Sequence, residues 1–179
     1  SSVSFPVTSS DTTEGTVSTS TLSYSTSNWN TAQTVTVYGF DDTLSDDNQA
    51  FSVTLGSFTS SDANYAGKNP DDVGVTNVDN ETASITVSAL SGNTTELGGT
   101  ATFTVVLDSQ PTSDVSIAVS SSDTSEATIS PSFLTFGSSN YSTLQTVTVT
   151  GVDDFYDDDN VSFRITVVPS SSIASYNTM

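Results

Sequence analysis

From Gln33 to Gly39, and again from Gln145 to Gly151, valine alternates with threonine, so that Val35, Val37, Val147 and Val149 fall on one face and the threonines on the other. A two-residue period belongs to a β-strand with one buried and one wetted face, the usual state of a strand in an antiparallel sheet. The same alternation, bounded by clusters of Ser, Asp and Gly, predicts strands near 3–8, 20–25, 33–39, 49–56 and 73–78. It predicts others near 83–88, 100–107, 114–120, 133–136, 144–151 and 161–168. No segment carries helical periodicity. Short strands between polar turns imply an all-β chain built as two tandem Greek-key β-sandwich units of immunoglobulin-like type.

The two valine strands belong to a longer repeat. The segment starting at Val3 aligns without a gap on the one starting at Val115, and 26 of the 46 positions from Val3 to Asn48 are identical. Asp11 falls on Asp123, Glu14 on Glu126, Leu22 on Leu134, Asn28 on Asn140 and Trp29 on Tyr141. Identity at this level over a fixed offset is tandem duplication, the signature of an array. The expected units are 1–81 and 82–179. The second has strands (84–107) ahead of Val115 that the first lacks ahead of Val3. The first continues into 71–80, which the second lacks after Tyr176.

Two missing strands bare roughly eight apolar side chains, or ~10–20 kcal/mol of lost burial at ~1.5–3 kcal/mol each. That equals or exceeds the ~5–15 kcal/mol stability of a whole domain. Two sources are therefore expected for the missing strands: a natural chain that continues on both sides, or a neighbouring copy that adds them. A start at Ser1 in place of Met agrees with a processed or excised piece.

Charge narrows the function. The chain carries 21 acidic residues against Lys68 and Arg164, a net charge of −19, with no histidine and no cysteine. So negative a surface repels nucleic-acid phosphates and anionic lipid, and no apolar run is long enough to enter a membrane. Without histidine or cysteine there is no Ser-His-Asp triad, thiolate nucleophile, disulfide, or imidazole or thiolate zinc site. Cations are the expected partners.

The acidic residues concentrate after the valine strands, in Gly39-Phe-Asp-Asp-Thr-Leu-Ser-Asp-Asp-Asn48 and Gly151-Val-Asp-Asp-Phe-Tyr-Asp-Asp-Asp-Asn160, with a further acidic turn at Val78-Asp-Asn-Glu81. Carboxylates ~5 Å apart at an effective dielectric of ~20 repel by about 3 kcal/mol per pair. A hard divalent cation removes that repulsion, and Ca²⁺ suits a flexible loop because it accepts six to eight oxygen ligands. Asp outnumbers Glu 17 to 4. Short side chains fit tight metal loops, whereas a demand for solvating charge alone would also recruit Glu.

A Thr/Val strand running into G-x-D-D-x-x-x-D-D-N and then into an F-x-V or F-x-I strand resembles a Calx-β repeat and its bacterial relatives. Glu96-Leu-Gly98 resembles the Glu-x-Gly entry of that family's first strand, and Asp79-Asn-Glu81 its closing acidic turn. The resemblance implies a calcium site in the first unit held by Asp11, Asp41, Asp42, Asp46, Asp47 and Asp79, with Glu81. In the second unit it implies Glu96, Asp123, Asp153, Asp154, Asp157, Asp158 and Asp159. Ser45 stands where the second unit has Asp157, and Asn48 and Asn160 stand where the family often has Glu. Fewer ligands mean weaker binding.

Trp29 and Tyr141 read as loop aromatics closing the end of a sandwich, Tyr65 and Tyr176 as packing residues, and Phe155-Tyr156 as an anchor for the second acidic loop. The expected function is a calcium-binding structural segment of an extracellular adhesin, matrix or cell-surface protein, in which Ca²⁺ stiffens loops and junctions between repeats. Its partners are adjacent repeats or other copies of the protein, with a host or surface ligand as a further candidate. One alternative is a filament subunit whose copies complete one another by strand addition; another is a calcium-sensing module. Catalysis is not expected, because the paired carboxylates lack an accompanying cleft of aromatics.

Overall fold

The computed structural model describes residues 1–153 and 159–178 and contains only strands, turns and one short 3₁₀ segment, Ala174–Thr178. The chain forms two compact units. The first comprises Ser1–Asp42 and Asp47–Asp79; the second comprises Thr43–Asp46 and the chain from Asn80 onward.

In the first unit, β1 (Val3–Ser9), β2 (Gly15–Val17), β3 (Thr21–Tyr24), β4 (Val37–Gly39), β5 (Gln49–Leu55), β6 (Thr59–Ser60) and β7 (Val73–Asn77) follow in order. One antiparallel sheet runs β3-β1-β5-β7, with β6 also pairing β1, and a two-stranded sheet joins β2 to β4. Alternation decides what is buried: Phe5 and Val7 of β1 and Phe51 and Val53 of β5 point inward, while Pro6 and Thr8 point out. Phe5 packs on Phe58 at a ring-centroid distance of 4.9 Å.

The second unit adds β8 (Ile85–Val87), β9 (Thr100–Leu107), β10 (Val115–Ser121), β11 (Ala127–Ser130), β12 (Phe133–Phe136), β13 (Gln145–Gly151) and β14 (Ile165–Ser171). They form two antiparallel sheets, β12-β10-β14 and β11-β13-β9-β8. Val115 and Ile117 of the first sheet and Val105, Val147 and Val149 of the second are fully buried in one apolar cluster, as in a sandwich. Burial of each such side chain contributes ~1.5–3 kcal/mol.

The repeat is visible in the register. Val7↔Leu55 in the first unit has its counterpart in Val119↔Val167, and Val17↔Val37 in Ile129↔Val149. Two of the expected strands need correction. The expected strand at 33–39 is reduced to Val37–Gly39, and the one at 161–168 is displaced to Ile165–Ser171. In each case the lost part is the stretch whose equivalent in the other repeat has a neighbour that this unit lacks: 145–147 pair with β9, and 49–51 pair with β7. The short strands β2, β6 and β11 were not expected, being too brief to display a period.

Trp29 is 72% exposed and closes nothing, whereas its equivalent Tyr141 packs on the core of the second unit. Tyr176 is fully buried, as a packing residue should be, but Tyr65 is 48% exposed. Phe155 and Tyr156 lie outside the described residues.

Candidate metal centre

Both acidic loops begin at a glycine, for a steric reason. A Cβ on Gly151 would lie 2.2 Å from the carbonyl oxygen of Thr95, and one on Gly39 would lie 2.7 Å from Oδ1 of Asn77. At Gly151 the crossing atoms are backbone, so the strand delivers its acidic loop only without a side chain there; at Gly39 the close atom is the end of the Asn77 side chain, which can turn aside. Beyond the glycine, the N–H of Phe40 donates to the carbonyl of Glu14 at 3.0 Å. In the second unit the N–H of Val152 donates to the carbonyl of Glu126 at the same distance.

Asp11 and Asp123 cap the turns that carry these glutamates. The N–H of Thr13 donates to Oδ1 of Asp11 at 2.9 Å and its hydroxyl at 2.5 Å. Ser125 repeats both bonds on Oδ1 of Asp123, its N–H at 3.0 Å. The hydroxyl bond first, then the N–H bond, holds each carboxyl below the ordinary 3.8. Each of these aspartates thus has a local task in shaping the turn, apart from any ion.

Asp41 and Asp42 are exposed on the segment after β4, and Asp46 is half-buried in the stretch that clusters with the second unit. Asp47 adopts a left-handed backbone, φ 66°, and its N–H donates to Oδ2 of Asp79 at 2.9 Å. The N–H of Asp79 in turn donates to Oδ1 of Asn48 at 3.0 Å. Glu81 accepts from Nδ2 of Asn80 at 3.0 Å. In the first unit the fold therefore brings Asp47, Asn48 and Asp79 together. It ties Asn77 into the same rim, because Nδ2 of Asn77 donates to Oε2 of Glu14 at 3.1 Å and to the carbonyl of Phe40 at 2.7 Å.

In the second unit Asp159 has the left-handed backbone of its equivalent Asp47, φ 62°. Only glycine, Asn and Asp visit this region readily, so the shared conformation is a property of the repeated loop. Glu96 and Asp159 line one open groove together with Glu126 and Asn160. Asp153 is exposed. Asp154, Asp157 and Asp158 lie outside the described residues.

Glu14 and Glu126 were not among the expected ligands, although their recurrence at one repeat position was a legible signal. Asn77 had no such signal, since its role depends on β7 lying beside β5. The donor chemistry of both rims is oxygen throughout and fits a hard cation. Among the described residues, however, no three carboxylates converge closely enough to hold a metal ion; they are spread along the rim. The chain matches no protein family and no curated protein.

Proposed function

We propose that this chain is a calcium-binding structural segment of an extracellular adhesin, matrix or cell-surface protein. Its two units are read as Calx-β-like, Greek-key sandwiches, and Ca²⁺ bound among the acidic loops stiffens the ends of those units. The reading rests on one observation: the same acidic rim is built twice. A glycine crossing, an Asx-capped turn bearing a glutamate and a left-handed aspartate recur at matching positions.

Asp41, Asp42, Asp47 and Asp79 would hold the ion in the first unit. Glu96, Asp153 and Asp159 would hold it in the second, with the aspartates of 154–158. Because the described carboxylates are not gathered beforehand, ordering them costs free energy and the sites are weak. Millimolar extracellular calcium suits such sites. On this reading the chain is not an enzyme, and its partners are further repeats of the same kind.

Calorimetry with calcium and with chelator tests the proposal. Calcium should raise the melting temperature, and Asp41→Asn with Asp42→Asn, combined with Asp153→Asn and Asp154→Asn, should abolish the rise. Identical melting of the unaltered chain in both buffers would refute calcium binding.

A further inference from the structure

The two repeats place identical residues in different surroundings. Val147 and Val149 are fully buried, while their equivalents Val35 and Val37 are only half-buried. All of these differences lie on one side of one strand. In the second unit β13 runs between β11 and β9; in the first, residues 33–39 have β2 on one side and, among the described residues, no strand on the other.

The backbone of this segment is already oriented for a second neighbour. The N–H of Ser18 donates to the carbonyl of Thr36 at 2.8 Å and the N–H of Phe40 to the carbonyl of Glu14 at 3.0 Å, so even-numbered residues face β2. Alternation along the strand turns the N–H and C=O groups of Gln33, Val35 and Val37 the opposite way.

We infer that the outer edge of residues 33–37 is an acceptor for a β-hairpin of the β8–β9 kind, belonging to a further repeat unit of this same type. The second unit supplies the template. There β9 pairs β13 with Gln145↔Val105, Val147↔Phe103 and Val149↔Ala101. The incoming strand accordingly sets its counterparts of Val105, Phe103 and Ala101 against Gln33, Val35 and Val37.

The N–H of Leu107 donates to the carbonyl of Tyr141 at 3.0 Å, which makes the Trp29 carbonyl the matching acceptor and brings the exposed indole under cover. The paired strands β8 and β9 carry no charge themselves; the acidic residues of the hairpin segment, Glu96 and Asp108, lie outside them. Main-chain bonds supply affinity and the alternate apolar residues supply register, as in other strand additions. The acceptor edge does not rest on the calcium reading, and its test is run in chelator so that the two fail separately.

The probe is a synthetic peptide of residues 84–108 added at millimolar concentration to the full ¹⁵N-labelled chain. A second form of the experiment grafts residues 83–112 ahead of Ser1, which keeps the β9-to-β10 spacing of the second unit. In both forms amide exchange at residues 33–37 should slow by about tenfold or more, and the emission of Trp29, the sole tryptophan, should shift to the blue. A peptide carrying Phe103→Pro, which removes a ladder N–H, should produce neither change. Unchanged exchange at 33–37 in both forms, equal effects of the two peptides, or protection confined to β7 or β14 would overturn the inference.

Discussion

Matched substitutions in the two repeats measure how far the first unit is open. Val149→Ala removes two methyl groups from a fully buried position, worth ~1.6 kcal/mol at ~0.8 kcal/mol per group. The two methyls occupy ~50 Å³, and a cavity that fails to close adds ~1 kcal/mol at ~24 cal/mol per Å³. The total is about 2–3 kcal/mol. Val37→Ala removes the same groups from a half-buried position whose outer side opens to water, so at most half the transfer term applies and no closed cavity forms, giving ~0.5–1 kcal/mol.

Both positions lie on equivalent strands, so the loss of β-propensity from valine to alanine largely cancels in the comparison. At about 4–8 °C per kcal/mol for a unit of this size, the buried variant should lower its unit's melting temperature by more than about 8 °C and the other by less than about 8 °C. Urea unfolding resolves the units: Trp29 emission reports the first, and exchange of β13 amides reports the second. Costs equal to within about 0.5 kcal/mol would refute the argument that the missing neighbour strand sets the burial of Val37.

Calcium at millimolar concentration should raise the melting temperature of the unaltered chain, and Asp47→Ala should shrink that rise; calorimetry reads both. Because hydrogen bonds hold Asp11 and Asp123 below 3.8, the folded chain carries fewer protons there than the unfolded chain. The contribution of these turns is therefore complete above 3.8 and is lost as pH falls through the lowered values. Thr13→Ala and Ser125→Ala should move the NMR titration midpoints of Asp11 and Asp123 back towards 3.8. Gly15→Ala brings a Cβ within 2.8 Å of the Tyr38 carbonyl and 2.7 Å of the Phe51 ring, and should cost about 1–3 kcal/mol by thermal melting. The second unit holds alanine at the equivalent position, Ala127, fully buried.

Much of the fold was legible because period-two alternation is a local property. The strands at 100–107 and 133–136 were placed from the chain alone, and the repeat fixed which positions correspond. The rim was legible as two acidic loops and an acidic turn. Its hydrogen-bonded order was not, because Asp47 meets Asp79, and Asn77 meets Glu14, only after β5 pairs with β7. Likewise Glu96 comes to line a groove with Asp159 through tertiary packing that no spacing in the sequence expresses.

Gln33-Thr-Val-Thr-Val37 and Gln145-Thr-Val-Thr-Val149 mark the boundary between the two kinds of information. The residues are identical, and their alternation alone gives both segments the capacity to be strands with valine inward and threonine outward. Packing makes the second a full strand between two neighbours, while the first becomes one only from Val37. A strand's hydrogen bonds are made to other segments, so its state is settled by the presence of a partner at its edge.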